Sequence, residues 1–341
     1  METLLKKVTE NDTEILNSAS EIIKNGGLVA FPTETVYGLG ANGLDKDAVK
    51  KIFIAKGRPN DNPLILHISD ISQVNPLVKE ISPCAKILMD KFWPGPMTLI
   101  FKKSDLVPYE TSGGLDTVAI RFPENKIAQK LIALSSLPVA APSANTSGRP
   151  SPTKASHVFE DMCGKIPMVL DGGPCNIGLE STVIDTTKTN PIICRPGGIT
   201  LEQIKEFFPL ASYDAHLLSG QGKDFRPISP GMKYKHYAPK GELFIVKGKT
   251  ENVIDFIKDN YTEKTGIITF DEYSILNIAE EFSLGSIYSP ADCSQKLFDI
   301  LRTFDSLGVT KIYSLCPSDE GVGFALCNRL FKASGGKFIN V

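Results

Sequence analysis

Hydroxyl groups, glycines and fixed cations follow the first predicted buried strand of this 341-residue sequence. The segment Pro32-Thr33-Glu34-Thr35-Val36-Tyr37-Gly38-Leu39-Gly40 is predicted to be a polar loop after that strand, and Lys56-Gly57-Arg58-Pro59 comes about one helix later. An arginine can bind two oxygens with one rigid fork, whereas a lysine acts as a point charge. These residue types suit a site that holds a phosphorylated ligand beside a small polar one. Taken alone, they are equally compatible with a turn and a solvated helix end.

Four further polar clusters lie at predicted strand ends. They are Asn62-Pro63 with His67, Thr117 with Arg121, Ala141-Pro142-Ser143-Ala144-Asn145 with Ser151, and Glu180-Ser181 with Arg195. Thr117 and Arg121 are an even number of residues apart, so they lie on the same face of one strand. Each cluster has an ordinary structural explanation, such as a packed histidine or a surface ion pair. Together they place cations, a histidine and hydroxyls where ligand crevices form in α/β proteins.

The hydrophobic pattern indicates which elements carry these residues. Apolar residues at helical spacing from Ile15 to Ile23 predict a helix that stops at Gly26-Gly27. Further helices are predicted over 82–92, 125–135 and 153–162, and strands over 28–31, 64–68, 97–102, 117–122, 139–141, 168–170, 181–185 and 192–194. This mixture predicts an α/β domain with a large, twisted, mixed sheet and flanking helices.

The pattern dissolves between residues 211 and 240, which are rich in glycine, proline, lysine and aromatic residues and predict an interdomain linker. Beyond it, strands predicted over 243–246, 266–270 and 311–315 alternate with helices over 251–258, 291–306 and 323–333. That alternation predicts a smaller, Rossmann-like α/β domain with a parallel sheet. The predicted organisation is therefore a domain over 1–210, a linker over 211–240 and a domain over 241–341.

Composition restricts the class of protein. The net charge of −2 gives no global basic field, so non-specific nucleic-acid binding is not implied. No segment has the pattern of a signal peptide or a membrane span, and the seven scattered cysteines form no Cys-x-x-Cys pair. We therefore expect a cytoplasmic protein with no protein-bound metal site. The sequence also lacks a Walker motif and a nucleophile elbow, which favours catalysis by positioning and charge stabilisation.

The motifs PTETVYGLG, KGRP, NPL, APSAN and ESTV, in this order, resemble the YrdC-like domain of threonylcarbamoyl-AMP synthases over residues 10–210. SPGMKYKHYAP at 229–239 resembles the linker of the two-domain form of that family, and the C-terminal unit is similar to its second domain. The resemblance implies a reaction in which L-threonine and bicarbonate or CO2 give N-carboxythreonine. Its carboxylate attacks the α-phosphorus of ATP, and threonylcarbamoyl-AMP and pyrophosphate are released. A separate complex then transfers the threonylcarbamoyl group to tRNA.

The resemblance also implies roles for individual residues. Thr35, His67, Arg121, Ala141 and Ser181 match positions that hold threonine. The nucleotide side is matched by Lys56, Arg58, Asn62, Thr117, Ser143, Asn145, Ser151 and Arg195, with Tyr234 of the linker as a further contact. Lys56 and Arg58 would be the catalytic cations that neutralise phosphate charge. Mg²⁺ would be carried by the triphosphate and need few protein ligands.

Some alternatives stay open at this stage. An RNA-binding module is one, since YrdC-like domains have a basic concave face, although the net charge argues against it as the main role. A weak contact with tRNA remains compatible with the sequence. A carbamoyltransferase of the hydrogenase-maturation type is another, although those larger chains carry cysteine-paired zinc fingers. The linker is either a lid over the nucleotide or a passive tether. The sequence does not specify the oligomeric state or the task of the C-terminal domain.

Overall fold

The computed structural model describes residues 1–59, 62–219, 237–316 and 320–341, which divide into two units. The larger unit contains Met1–Ser147, Pro152–Asn176 and the residues from Glu180 to 219. The smaller contains the residues from 237 onward together with Gly148–Ser151 and Ile177–Leu179. Two short segments that precede residue 210 are therefore grouped with the C-terminal part of the chain.

An eleven-stranded mixed sheet runs through the larger unit. Its strands are β1 (Leu4–Lys7), β2 (Val29–Phe31), β3 (Gly38–Asn42), β4 (Ile65–His67), β5 (Met97–Lys102), β6 (Thr117–Arg121), β7 (Val139–Ala140), β8 (Met168–Asp171), β9 (Thr182–Asp185), β10 (Ile192–Arg195) and β11 (Ser212–Tyr213). Their spatial order is β1-β8-β2-β3-β7-β4-β6-β5-β9-β10-β11. The prediction of a large mixed sheet is confirmed, since β4 pairs with β6 in parallel and β5 pairs with β6 antiparallel.

The helices of this unit are α1 (Thr13–Lys24), α2 (Lys46–Lys56), α3 (Pro83–Phe92), α4 (Tyr109–Ser112), α5 (Lys126–Ser135), α6 (Ala155–Met162), α7 (Leu201–Lys205) and α8 (Ala215–Ser219), with a 3-10 helix over Ile71–Leu77. Side-chain caps fix several starts: Ser82 accepts from Ala85 N and Asn125 accepts from Ala128 N. α2 ends at Gly57, whose φ of 61° is left-handed.

Alternate residues of β2 face two different cores, as the two-residue period of a strand requires. Val29 and Phe31 pack with α1 and α5, whereas Leu28, just before β2, and Ala30 belong to the core that contains α2 and α3. The predicted flanking helices thus cover both faces of the sheet. Within the described residues, no helix is long and apolar enough to span a membrane.

The smaller unit has a five-stranded parallel sheet. Its strands are β12 (Glu242–Lys247), β13 (Thr265–Thr269), β14 (Glu281–Ser283), β15 (Lys311–Leu315) and β16 (Phe338–Asn340), in the order β14-β13-β15-β12-β16, with helices α9 (Thr250–Asp259), α10 (Pro290–Leu307) and α11 (Gly321–Ser334). This confirms the predicted parallel α/β arrangement. The sequence pattern missed β14 and β16, which are short and only partly buried.

Two predictions of irregular structure were wrong. Residues 212–219, assigned to the linker, form β11 and α8. The polar loop expected through Gly40 ends earlier, because β3 begins at Gly38 and pairs with β2. Glycine is a poor strand former, so the residue types of β3 do not predict a strand. The packing explains the glycine: a Cβ at Gly40 would lie 2.8 Å from Phe31 Cε1 and 2.9 Å from Val139 Cγ1.

We predict that Gly40→Ala destabilises the protein by about 1–3 kcal/mol, because the added methyl overpacks the contact with Phe31 and Val139. Urea unfolding of the wild type and the variant measures the change in the free energy of unfolding. Val139→Ala provides the control, since it removes the atom nearest to the added methyl on one side. Gly40→Ala should therefore cost less in the Val139→Ala background, and equal costs in the two backgrounds would contradict the steric explanation.

Candidate functional site

Arg121, at the carboxyl end of β6, is the centre of a buried polar cluster. Its Nη1 donates to Thr35 Oγ1 at 2.8 Å, its Nη2 to Glu34 Oε1 at 2.5 Å and its Nε to the Gly95 carbonyl at 3.3 Å. Arg121 is 3% exposed and Glu34 is 6% exposed. The guanidinium is thus held on three sides by protein oxygens. Of its five N–H groups, two have no partner among the described residues.

The loop that supplies Glu34 and Thr35 is organised by its own hydroxyls. Thr33 Oγ1 donates to the Val36 carbonyl at 2.6 Å and accepts from the backbone N–H groups of Thr35 and Val36. The hydroxyls of Thr33 and Thr35 are 2.8 Å apart. This type of turn is a known use of threonine next to a strand. The loop therefore presents Thr35 to Arg121 in one defined geometry.

His67 lies opposite Arg121 in the β4–β6 register. Burial and, to a smaller extent, the neighbouring positive charge of Arg121 together lower the pKa of His67 to about 3. Its Nδ1 is 3.2 Å from the Ile65 carbonyl. The imidazole is therefore neutral at physiological pH and can exchange hydrogen bonds with a ligand without adding charge.

Hydroxyl groups lie on the other side of β6, next to β5 and β9. Thr98, on β5, is opposite Arg121 in register, and its Oγ1 is 2.7 Å from the Ser181 hydroxyl. Arg195, at the end of β10, donates from Nε to the Ser181 carbonyl and from Nη2 to the Ser181 hydroxyl, both at 3.0 Å. On the far side of β4, the Ala141 N–H donates to the Ile65 carbonyl at 2.9 Å. The structure thus brings Thr35, His67, Arg121, Ser181 and Arg195 together at one end of the neighbouring strands β4, β6, β5, β9 and β10. Ala141 is level with Ile65, at the start of β4.

A second cluster surrounds Lys56. Its Nζ donates to the carbonyls of Ser143 at 2.5 Å and Asn145 at 2.7 Å, and Ser143 Oγ donates to Asn145 Oδ1 at 2.5 Å. Since Lys56 ends a predicted helix before a polar loop, the sequence predicts that it is not buried in a core. That expectation was wrong, because Lys56 is 2% exposed and holds the loop over 143–145.

Arg58 and Asn62 follow Lys56 at the end of α2. The Arg58 guanidinium carbon is 6.0 Å from the centre of the Phe53 ring. Asn62 is fully buried, and both its amide oxygen and its amide nitrogen lack a hydrogen-bond partner among the described residues. An unpaired buried amide costs about 1–3 kcal/mol, so Asn62 is a group that a bound ligand could satisfy.

Thr117, Ser151 and Tyr234 are the other predicted nucleotide residues. Thr117 begins β6 whereas Arg121 ends it, which separates their backbones by about 13 Å along the strand. Ser151 is buried and is grouped with the smaller unit. Tyr234 lies outside the described residues, so the hypothesis that the linker is a lid remains a prediction.

Two residues of the buried edge were missed by the sequence reasoning. Glu34 lies between the two threonines of the PTET motif, and Thr98 is the one hydroxyl residue in the apolar run MTLIFK. A polar residue in a strand that is otherwise apolar could have drawn attention to Thr98. A glutamate in a polar loop does not by itself predict a role for Glu34 in the site. Among the described residues, no group of three or more His, Cys, Asp or Glu side chains could hold a metal ion.

A mixed sheet with this buried polar edge, followed by a smaller parallel α/β unit, defines a two-domain protein with a YrdC-like first domain. The Sua5/YciO/YrdC family model, described as "Telomere recombination", matches residues 21–197. A second model, described as "Threonylcarbamoyl-AMP synthase, C-terminal domain", matches residues 199–335. The chain belongs to the threonylcarbamoyl-AMP synthase family, in its two-domain form.

Relatives support this membership over nearly the whole chain. The threonylcarbamoyl-AMP synthase of Pyrococcus abyssi is 48% identical over 331 residues, which cover 95% of each chain. That of Bacillus subtilis is 46% identical over 337 residues, covering 98% of this chain and 96% of the relative. The crystal structure of P. abyssi Sua5 complexed with L-threonine is similar with a TM-score of 0.91 and 45% identity, and each chain is covered completely (100%).

We predict that protonation of His67 in the unfolded state weakens folding at acid pH. The folded pKa of about 3 lies below the unfolded value of about 6.5. The unfolded state therefore binds a proton that the folded state does not, and stability falls as pH decreases from about 6.5 towards 3, by up to about 1.4 kcal/mol per pH unit. Urea unfolding between pH 7.5 and 4.5 measures this slope.

His67→Gln is the matched variant, because it retains a polar side chain that does not titrate. Its stability should fall less steeply than that of the wild type over the same pH range. If both proteins lose stability in parallel, His67 does not titrate in the unfolding equilibrium as we expect.

Proposed function

We propose that this chain is an L-threonylcarbamoyladenylate synthase, which uses L-threonine, bicarbonate or CO2 and ATP to form threonylcarbamoyl-AMP and pyrophosphate. The observation that carries this proposal is the buried guanidinium of Arg121, which has two N–H groups without a partner among the described residues. A carboxylate is the ligand that such a fork binds best. The P. abyssi relative that was crystallised with L-threonine supports the amino acid as its source.

The threonine side would be formed by the sheet edge. Arg121 would bind the carboxylate, while Thr35, neutral His67 and Ser181 offer hydrogen-bonding groups within the same buried cluster. Ala141 provides a small apolar surface beside β4. A guanidinium that is ion-paired with Glu34, keeps two N–H groups for a ligand and has neutral hydroxyls and a neutral imidazole nearby fits a small amino acid with a carboxylate and a polar side chain.

The nucleotide side would be formed by Lys56, Arg58, Asn62, Ser143 and Asn145, with Thr117, Ser151, Arg195 and Tyr234 as further contacts. The N-carboxythreonine carboxylate attacks the α-phosphorus, and the bond from that phosphorus to the leaving pyrophosphate breaks. Lys56 and Arg58 supply positive charge where negative charge develops on the phosphates. Lys56 also fixes the loop over 143–145, so its role combines charge with loop positioning.

Mg²⁺ would be held mainly by phosphate oxygens and would supply charge neutralisation there, since Mg²⁺ in nucleotide sites usually needs only one or two protein carboxylates. The product would pass to a separate complex that transfers the threonylcarbamoyl group to tRNA in the cytoplasm. A weak direct contact with tRNA is part of the same proposal. Its test is a strong decrease of tRNA affinity with salt.

We predict that pyrophosphate release from ATP requires both L-threonine and bicarbonate. A coupled pyrophosphate assay, with each substrate omitted in turn, measures this dependence. Serine should support a lower but measurable rate, since one methyl group in an apolar pocket contributes about 1–3 kcal/mol. Equal rates with serine, or a full rate without any amino acid, would refute the assignment.

We predict that Arg58→Ala lowers the rate of pyrophosphate release by about one to two orders of magnitude, because it removes a charge-assisted phosphate contact of about 1.5–3 kcal/mol. Threonine binding and the melting temperature should change little. Lys50→Ala, on the exposed face of α2, is the matched control and should retain the wild-type rate. A normal rate in Arg58→Ala would place the phosphate site elsewhere. Lys56→Ala is less informative, since loss of this buried cation should also reduce stability.

A further inference from the structure

We propose that Glu34 is a positioning residue, which fixes the guanidinium of Arg121 in the orientation that receives the substrate carboxylate. This inference rests on the proposed function, since it concerns the binding of threonine. Glu34 Oε1 accepts from Arg121 Nη2 at 2.5 Å, and both side chains are almost completely buried. Its other oxygen, Oε2, accepts from the Asn125 N–H at 3.4 Å, at the start of α5. The carboxylate therefore connects a helix start to the guanidinium.

The loop does not need Glu34 to keep its shape. Thr33 already closes the turn through its bonds to the carbonyl of Val36 and to the N–H groups of Thr35 and Val36. Removing the Glu34 carboxylate leaves all of these bonds in place. It removes the long bond from the Asn125 N–H and the shortest of the three bonds that orient Arg121. The remaining two bonds of Arg121 go to Thr35 and the Gly95 carbonyl.

The charges of the cluster lead to the same role. Arg121 and Arg195 bring two positive charges, His67 is neutral, and Glu34 brings one negative charge. Glu34 thereby neutralises part of the field without occupying the two remaining N–H groups of Arg121. Buried charges need both an opposite charge and hydrogen bonds. Because Glu34 uses only one N–H group of Arg121, the two remaining N–H groups stay available for the carboxylate of the substrate.

The test compares two ligands that differ only in the group that Arg121 recognises. L-threoninol replaces the carboxylate of L-threonine by a hydroxymethyl group. Titration calorimetry of each ligand with the full-length protein gives the ratio of the two dissociation constants. In the wild type, L-threonine should bind more tightly by about tenfold or more. In Glu34→Ala this ratio should fall towards one, because the loosened guanidinium no longer favours the carboxylate.

Glu34→Gln retains an oxygen acceptor without the charge and should lie between the wild type and Glu34→Ala. If Glu34→Ala does not fold, the ratio measured for Glu34→Gln tests the proposal by itself. Glu80→Ala, which removes the exposed partner of Lys102, is the matched control and should keep the wild-type ratio. In the pyrophosphate assay, the KM for threonine should rise while the KM for ATP changes less than about twofold.

A wild-type ratio in Glu34→Gln, and in Glu34→Ala if it folds, would overturn the proposal, even if their melting temperatures fall, since Glu34 would then be structural only. An equal rise in both KM values would also overturn it. Failure of the proposed function gives a different result. In that case the wild-type protein itself shows no threonine-dependent pyrophosphate release or no preference for threonine over threoninol.

Discussion

The buried charge of Arg121 is the constraint on which the rest of the site depends. Removing a guanidinium from water is costly unless hydrogen bonds and an opposite charge replace the lost hydration. Here the PTET loop supplies a carboxylate and a hydroxyl, and the Gly95 carbonyl supplies a third acceptor. Each acceptor comes from a segment that is distant in the sequence from β6. The fold therefore has to bring these segments together before Arg121 can be buried at all.

The order of the strands explains how distant segments meet. β4, β6, β5, β9 and β10 are successive neighbours in the sheet, although the chain visits them in a different order. Residues at the carboxyl ends of β4, β6 and β10 and at the amino ends of β5 and β9 therefore lie next to one another, from His67 to Arg195. The burial that excludes water from these residues also keeps His67 neutral beside the charged Arg121. Electrostatic interactions within it are strengthened because water is excluded.

The sequence predicted much of this arrangement because strand ends carry the polar residues of the site. β5 and β15 have the predicted bounds, and the helix predicted from Ser82-Pro83 begins where the cap requires. The failures have a common physical cause, which is that burial depends on tertiary packing. The position of Lys56 at a helix end predicts a solvated side chain, whereas two loop carbonyls bind its ammonium group. The pairing of Glu34 with Arg121 joins residues far apart in the chain, so no local pattern could show it.

The segment after β7 connects the two clusters of the site. Ala141 bonds to β4 beside His67, Ser143 forms a bridge with Gly38, and Asn145 contacts Lys56. A Cβ at Gly38 would lie only 3.2 Å from the Ala141 Cβ, so glycine allows this segment to approach β3 closely. That approach sets the distance between the Arg121 cluster and the Lys56 cluster. If one binds the amino acid and the other the nucleotide, the glycines of the PTETVYGLG motif serve catalysis through packing, since the reacting groups must be held within contact distance.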